Sequence, residues 1–243
     1  MSDKVGPSSR LPRLSAQQAD DIALKMQQRR ESLASADRSI GRILDTLRDQ
    51  GKMRTTHTIF MSDNGYLLGE HRVPDSKRQP YELASRLPLA IRGPGIPAGS
   101  LRAAPAGTQD IAATILDVAG ATADYPLDGR SLLPSAWDLD GNDNQRAIVL
   151  EGAEVPIDAE NGGKIRYAPP RTIAETEWQY RGLVTRRWKL IYWDRPGDYE
   201  LYDLRTDPHE VRSLYGRPGY VRRSNRMVAR LDRLWMCQAA TCE

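Results

Sequence analysis

Thr58-Ile59-Phe60-Met61 constrains this chain more than any other stretch. Its β-branched, aromatic and apolar side chains read as a strand interior, and the run empties at once into the polar, glycine-flanked segment Ser62-Asp63-Asn64-Gly65. A strand over Thr56–Met61 that ends this way suits an open α/β sheet, where ligands bind just outside the carboxyl ends of strands. Asp63 and Asn64 occupy that place. A carboxylate beside an amide carbonyl offers hard oxygen ligands to a cation such as calcium or magnesium. Asp-Asn-Gly is equally an ordinary turn, and on these residues alone the turn is the simpler reading.

The elements around this strand support an α/β layer. Ser15 caps a helix running to about Gln50, with an apolar stripe at Leu33, Ala36, Ile40, Leu44 and Leu47 and Gly51 just past its end. Leu87–Ile91 reads as a second buried strand, stopped by Gly93-Pro94-Gly95. Both strands are near-continuous apolar runs, which predicts a sheet covered on both faces. Asp110–Ala119 is a short amphipathic helix ended by Gly120.

The character changes near Asp138. Residues 138–145 are rich in Asp, Asn and Gly, as in an exposed linker. Beyond a short strand at Ala147–Leu150, residues 151–177 show no period, and a long, substrate-facing loop is expected there. Leu183–Thr185 and Lys189–Trp193 read as a hairpin, Leu201–Leu204 as a further strand and Val221–Trp235 as a closing helix. Three units follow: a disordered polar start at 1–15, an α/β core at 16–137 and a small carboxyl-terminal α+β subdomain at 138–243.

Composition narrows the function classes. A formal charge of +3 over 243 residues argues for neither nucleic acid nor membrane as a partner. The polar start lacks the apolar stretch of a secretory signal, so localisation stays open. The two cysteines, Cys237 and Cys242, read either as a short disulfide loop or as two free thiols.

The next segment decides between turn and site. After Leu68-Gly69-Glu70-His71 come Lys77, four residues before the pair Tyr81-Glu82, and then Arg86-Leu87-Pro88-Leu89-Ala90-Ile91-Arg92-Gly93-Pro94-Gly95. In this order, over about forty residues, the chain resembles the sulfatase family, and an ordered set is far more specific than one short motif. The likeness continues through Asp110–Gly120, through Leu127-Asp128-Gly129-Arg130-Ser131-Leu132-Leu133-Pro134, through Trp188-Lys189-Leu190-Ile191, and through Glu200–Leu204 with Asp207-Pro208-His209-Glu210. Upstream, Arg29–Leu33 and Ile40–Leu44 resemble the helix before the Ser-Asp-Asn-Gly strand.

The resemblance implies an α/β fold: part of a sulfatase, alkaline-phosphatase-like core, with a small carboxyl-terminal α+β subdomain. It implies that Asp63 and Asn64 are metal ligands, for Ca2+, and that Lys77 clamps sulfate oxygens electrostatically. His71 would lie at the site rim, assisting binding or proton transfer, or else orienting the loop. Tyr81, Glu82 and Arg86 would tie the loop to the next strand. A sulfated small molecule or glycan would be the substrate.

The family's formylglycine precursor motif, Cys or Ser-x-Pro-Ser or Ala-Arg, has no match, and neither does its aspartate pair. Asp20-Asp21 lies in a helical stretch and reads as solvated. The chain therefore reads as the back half of a sulfatase, inactive when isolated. The alternatives are a truncated product or binding fragment, and a related phosphoester hydrolase.

Overall fold

The computed structural model of the chain describes residues 4–133, 146–153, 157–158, 164–165, 178–237 and 239–242. Helix α1 spans Ala16–Asp49. Ser15 caps it as expected: its Oγ accepts the Gln18 N–H at 3.2 Å, and Gln18 Oε1 accepts the Ser15 N–H at 2.9 Å. This reciprocal pair satisfies two N–H groups that the first turn would otherwise leave without partners. Gly51, at φ 67°, follows the helix end. No residue of α1 is buried, and Leu33 on its apolar stripe is 65% exposed.

Strands β1 (Thr58–Met61) and β2 (Leu89–Arg92) pair with each other, antiparallel, with Ile59 opposite Ile91. They form a two-stranded sheet. The expected cover on both faces is not found among the described residues: Phe60 is 46% and Leu89 39% exposed. Apolar composition marked these positions as strand, but burial needs a second layer, and none of the described elements supplies it. Helix α2 (Glu82–Ser85) precedes β2, and α3 (Gln109–Ala119) follows it, ended by left-handed Gly120 as expected. Asp110, fully buried in the first turn of α3, holds Arg146 through two hydrogen bonds of 2.6 and 2.7 Å. That pair ties α3 to the start of β3 (Ala147–Ala153).

The carboxyl-terminal sheet is antiparallel, in the order β3-β6-β7-β8, with β6 at Trp178–Thr185, β7 at Trp188–Trp193 and β8 at Asp198–Asp203. Two short segments, β4 (Ile157–Asp158) and β5 (Lys164–Ile165), pair with each other. Alternation along the strands separates two clusters. Leu183, Leu190 and Leu201 face helix α4 (Val221–Trp235) and pack on Met227, Leu231 and Leu234. Tyr180, Ile191, Trp193 and Tyr202 face the other way, onto Leu67, Val73, Tyr81 and Ala84. One face of this sheet thus closes its own core, and the other face holds the loop that follows β1.

The start of the chain departs from expectation. Residues 4–11 are not a loose polar lead-in; Lys4, Gly6 and Ser8 are buried against the sheet, and Pro7–Arg10 forms a 3-10 turn. The reason lies in Glu200, a fully buried carboxylate that needs donors. Its Oε1 accepts the N–H groups of Val5 at 2.9 Å and Gly6 at 3.0 Å. A Cβ on Gly6 would stand 2.3 Å from the Trp193 ring, so only glycine permits this approach. Cys237 and Cys242 are disulfide-bonded to each other, which resolves the two readings left open by sequence. The expected linker at 138–145 and most of the expected long loop at 151–177 lie outside the described residues, as does the boundary at 137/138. Among the described residues no helix is long and apolar enough to cross a membrane.

Candidate functional site

The polypeptide leaves β1 at Met61 and turns at once. Ser62 Oγ donates to the Asn64 carbonyl at 2.9 Å, and Asp63 Oδ1 accepts the Asn64 N–H at 2.8 Å. The Asn64 side-chain nitrogen donates to the Gly65 carbonyl at 2.9 Å, which leaves the amide oxygen as the unused end. Asp63 is exposed and Asn64 half-buried. Gly65 then lies against α2: its N–H donates to the Ala84 carbonyl at 2.9 Å, and the Tyr66 N–H to the Leu83 carbonyl at 2.8 Å. A Cβ on Gly65 would sit 2.0 Å from the Leu83 carbonyl oxygen. This glycine therefore serves a close backbone approach that fixes where Asp63 and Asn64 stand.

Beyond it, Leu67 and Ser76 form an antiparallel bridge, N–H to carbonyl both ways at 2.8 and 3.2 Å, closing the loop that carries His71. Inside that loop His71 and Arg72 both have left-handed backbone, at φ 53° and 64°. Such conformations cost a non-glycine residue about 1–3 kcal/mol each and persist only where the surroundings impose them. Here the Gly69 N–H bonds the Val73 carbonyl at 2.8 Å, and Arg72 Nη1 donates to the Leu11 carbonyl at 3.0 Å. Helix α1 braces the outside: Lys25 and Tyr66 both bond Asp75, and the Arg29 guanidinium lies 3.8 Å from the centre of the Tyr66 ring.

Lys77 stands exposed just past the bridge. His71 does not lie at a rim. It is buried and stacked on Tyr81 with ring centres 3.8 Å apart. Burial, with Lys4, Lys189 and His209 adding positive charge, pushes its pKa down to about 3, so the ring is neutral near pH 7. His57 and His209 are peripheral, the former bonded to the Pro94 carbonyl at 3.1 Å.

Sequence reasoning missed the polar network beneath the loop. Lys189 is fully buried, with Nζ 2.8 Å from Glu82 Oε1 and 3.1 Å from Glu210 Oε1, and it donates to the Pro80 carbonyl at 2.8 Å. Burial pushes the Glu210 carboxyl above its ordinary pKa, against the opposing pull of Lys189. Glu200 Oε2 accepts the hydroxyls of Tyr202 at 2.7 Å and Tyr81 at 3.1 Å, and Lys4 Nζ donates to Tyr202 at 3.0 Å. Burial and the neighbouring Glu200 charge raise both tyrosine pKa values, so these phenols stay protonated donors. Because Tyr81 gives its one proton to Glu200, the Ser8 hydroxyl 3.1 Å away must donate to Tyr81. A lysine and a glutamate at inward positions of alternating strands were the available signal. Tyr81 and Glu82 tie the loop to the carboxyl-terminal sheet, through Glu200 and Lys189, rather than to the next strand, and exposed Arg86 adds only a 3.7 Å ion contact to Glu82.

Asp63 and Asn64 suit calcium in kind, as one charged and one neutral oxygen donor. They fall short in number, since calcium takes six to eight oxygens. Among the described residues no group of three or more His, Cys, Asp and Glu side chains is placed to hold a metal ion.

Comparison with known proteins agrees along the chain. Residues 9–121 match the sulfatase family, and residues 172–236 match the carboxyl-terminal domain of N-sulphoglucosamine sulphohydrolase. An N-acetylglucosamine-6-O-sulfatase of Bacteroides thetaiotaomicron is 32% identical over 204 residues, covering 83% of this chain and 34% of that protein. An arylsulfatase of Volvox carteri is 35% identical over 236 residues, covering 88% and 35%. A solved structure holding its substrate D-glucosamine-2-N,6-O-disulfate superposes with a TM-score of 0.65 at 28% identity, covering 82% of this chain and 38% of that one. The chain thus spans about a third of the length of these two relatives. The strand, the glycine-anchored Ser-Asp-Asn-Gly turn, the bridged loop and strands β6, β7 and β8 beneath it fall within these matched stretches, and the chain belongs to the sulfatase family.

Proposed function

We propose that this chain supplies part of the active site of a sulfate-ester hydrolase acting on sulfated amino sugars. The observation that carries the reading is the rigid presentation of Asp63 and Asn64. They stand at the carboxyl end of β1, fixed by the close approach of Gly65 to α2, with Lys77 exposed just past the Leu67–Ser76 bridge. In this reading Asp63 and Asn64 give two oxygens to a calcium ion whose other ligands lie outside this set. The ion, when bound, would neutralise charge on the sulfate. Lys77 holds the sulfate oxygens and stabilises the charge that grows on them. His71 acts through Tyr81 as a positioning residue. The substrate class follows the relatives' names and the bound disulfated glucosamine.

The chain contains no Cys or Ser-x-Pro-Ser or Ala-Arg motif, and both of its cysteines are locked in one disulfide. Covalent catalysis of the family kind has no residue here to start from. The test is turnover of a chromogenic aryl sulfate and of glucosamine-6-sulfate, by the chain alone and co-expressed with the amino-terminal part of the Bacteroides relative. The chain alone should show none. The complemented enzyme should turn over, and Lys77→Ala should lower its kcat by about 10²–10³-fold, the scale for losing one charge-stabilising donor. Turnover by the chain alone that Lys77→Ala abolishes would overturn the reading, as would complemented activity confined to phosphate esters. Calcium should bind the isolated chain weakly, in the millimolar range of poorly assembled sites. Micromolar affinity lost in Asp63→Ala would mean that the chain itself supplies further ligands.

A further inference from the structure

A second charged feature lies far along the sequence from the Ser62–Glu82 segment. Between the start of α4 and the β7–β8 end of the sheet is a cavity of about 500 Å³, the size range of small-ligand sites. Four arginines line it, Arg187, Arg222, Arg223 and Arg226, with Asp203 as the one acid, so four positive charges less one negative leave a net three. Asp203 is spent on Arg187, holding it through two bonds of 2.9 and 2.7 Å. The Arg187 and Arg223 guanidinium carbons lie 4.9 and 4.8 Å from the centre of the Trp188 ring, and Tyr220 meets that ring edge-on. These contacts fix the direction of two planar cations whose N–H forks match tetrahedral oxyanions.

The arrangement costs stability in the empty protein. Arg222 and Arg223 stand in the first turn of α4, which contains no acid, although a helix dipole favours negative charge there. Arg222, Arg226, Arg230 and Arg233 recur at four-, four- and three-residue spacing, a like-charged ridge whose neighbours repel. Burial and the nearby Arg226 and Arg187 charges depress the Arg223 pKa, while Asp203 opposes them. Among the described residues Arg222 and Arg226 have no acidic partner. An ordinary solvated helix face mixes both signs, yet α4 carries five arginines and one acid, Asp232.

We propose that this cavity binds one sulfate group of a sulfated glycan, and that the arginine ridge of α4 carries the chain onward. The choice of a sulfated glycan over other polyanions rests on the proposed function; the basic cavity does not. The full chain should be titrated with a heparin hexasaccharide by calorimetry, at several salt concentrations, beside a single-stranded oligonucleotide of equal charge. The expected result is tighter binding of the hexasaccharide. Arg222→Glu with Arg226→Glu should weaken it at least tenfold and flatten the slope of log K against log salt by about two, one for each lost contact. Arg48→Glu with Arg54→Glu, exposed residues elsewhere, should leave it unchanged. If the glutamate pair fails to fold, the same loss should appear in Arg222→Gln with Arg226→Gln. Equal loss in the Arg48 and Arg54 control, or no loss in either cavity pair, would overturn the site. Tighter binding of the oligonucleotide would overturn the glycan. No turnover is measured, so failure of the proposed catalysis leaves this result standing.

Discussion

The β3-β6-β7-β8 sheet and the β1–β2 pair use similar side chains to opposite effect. In the larger sheet Leu183, Leu190, Ile191 and Leu201 are wholly out of water, with α4 on one face and the post-β1 loop on the other. In the pair, Phe60 and Leu89 remain 46% and 39% exposed, and the long α1 has no fully buried residue. The difference teaches that strand formation and burial are separate outcomes. Local composition fixes the first, whereas the second depends on a facing layer. It also explains the position of the candidate site, whose loop is finished on the side that rests on the large sheet and open on the side of β1.

The largest effect should come from the seam between the two regions. Lys189→Met leaves Glu82 and Glu210 without their buried cation and should cost about 3–5 kcal/mol in urea unfolding. A loss under about 1 kcal/mol would mean that the seam is held by packing alone. Next, Leu231→Ala in the α4 core should cost about 2–5 kcal/mol, while Leu33→Ala on α1 should stay within about 0.5 kcal/mol. Similar losses at both positions would erase the contrast. Gly65→Ala places a methyl group against the Leu83 carbonyl and should cost about 1–3 kcal/mol while loosening Asp63 and Asn64. A neutral result would show that α2 yields freely.

A further contrast is a pH dependence. His71 is held neutral, its pKa pushed down to about 3 from 6.5. As pH falls below about 6.5 the unfolded chain takes up a proton that the folded chain refuses until about pH 3. This contribution is therefore fully present above pH 6.5 and is lost on acidification across that window. His71→Phe keeps a ring on Tyr81 and removes the titration. The Tm of the variant relative to wild type should accordingly rise between pH 7 and pH 4, and a constant difference would place His71 in water.

Much of this was legible in the sequence for identifiable reasons. Ser15 with Gln18, Gly120 after α3, and the spacing along Val221–Trp235 are local signals, and the helices stand close to where those signals put them. Asp63, Asn64 and Lys77 were named from motif order, and the structure adds the loop geometry that carries them. Lys4, Ser8, Lys189, Glu200 and Glu210 were not legible as a group, because Lys4 and Glu200 lie 196 residues apart and each reads alone as a surface charge. The polar start looked loose because nothing local reveals that Val5 and Gly6 meet a buried carboxylate. Exposure of β1 and β2 was misread because an apolar strand looks the same with or without its covering layer.

Amide hydrogen exchange on the dilute chain, with and without the amino-terminal part of the Bacteroides relative, tests the contrast most directly. The account predicts slow exchange in β6, β7, β8 and α4 in both samples. It predicts fast exchange in α1, β1 and β2 for the chain alone, slowing when the complement is added. Protection of α1, β1 and β2 in the chain alone equal to that of the carboxyl-terminal sheet would contradict it.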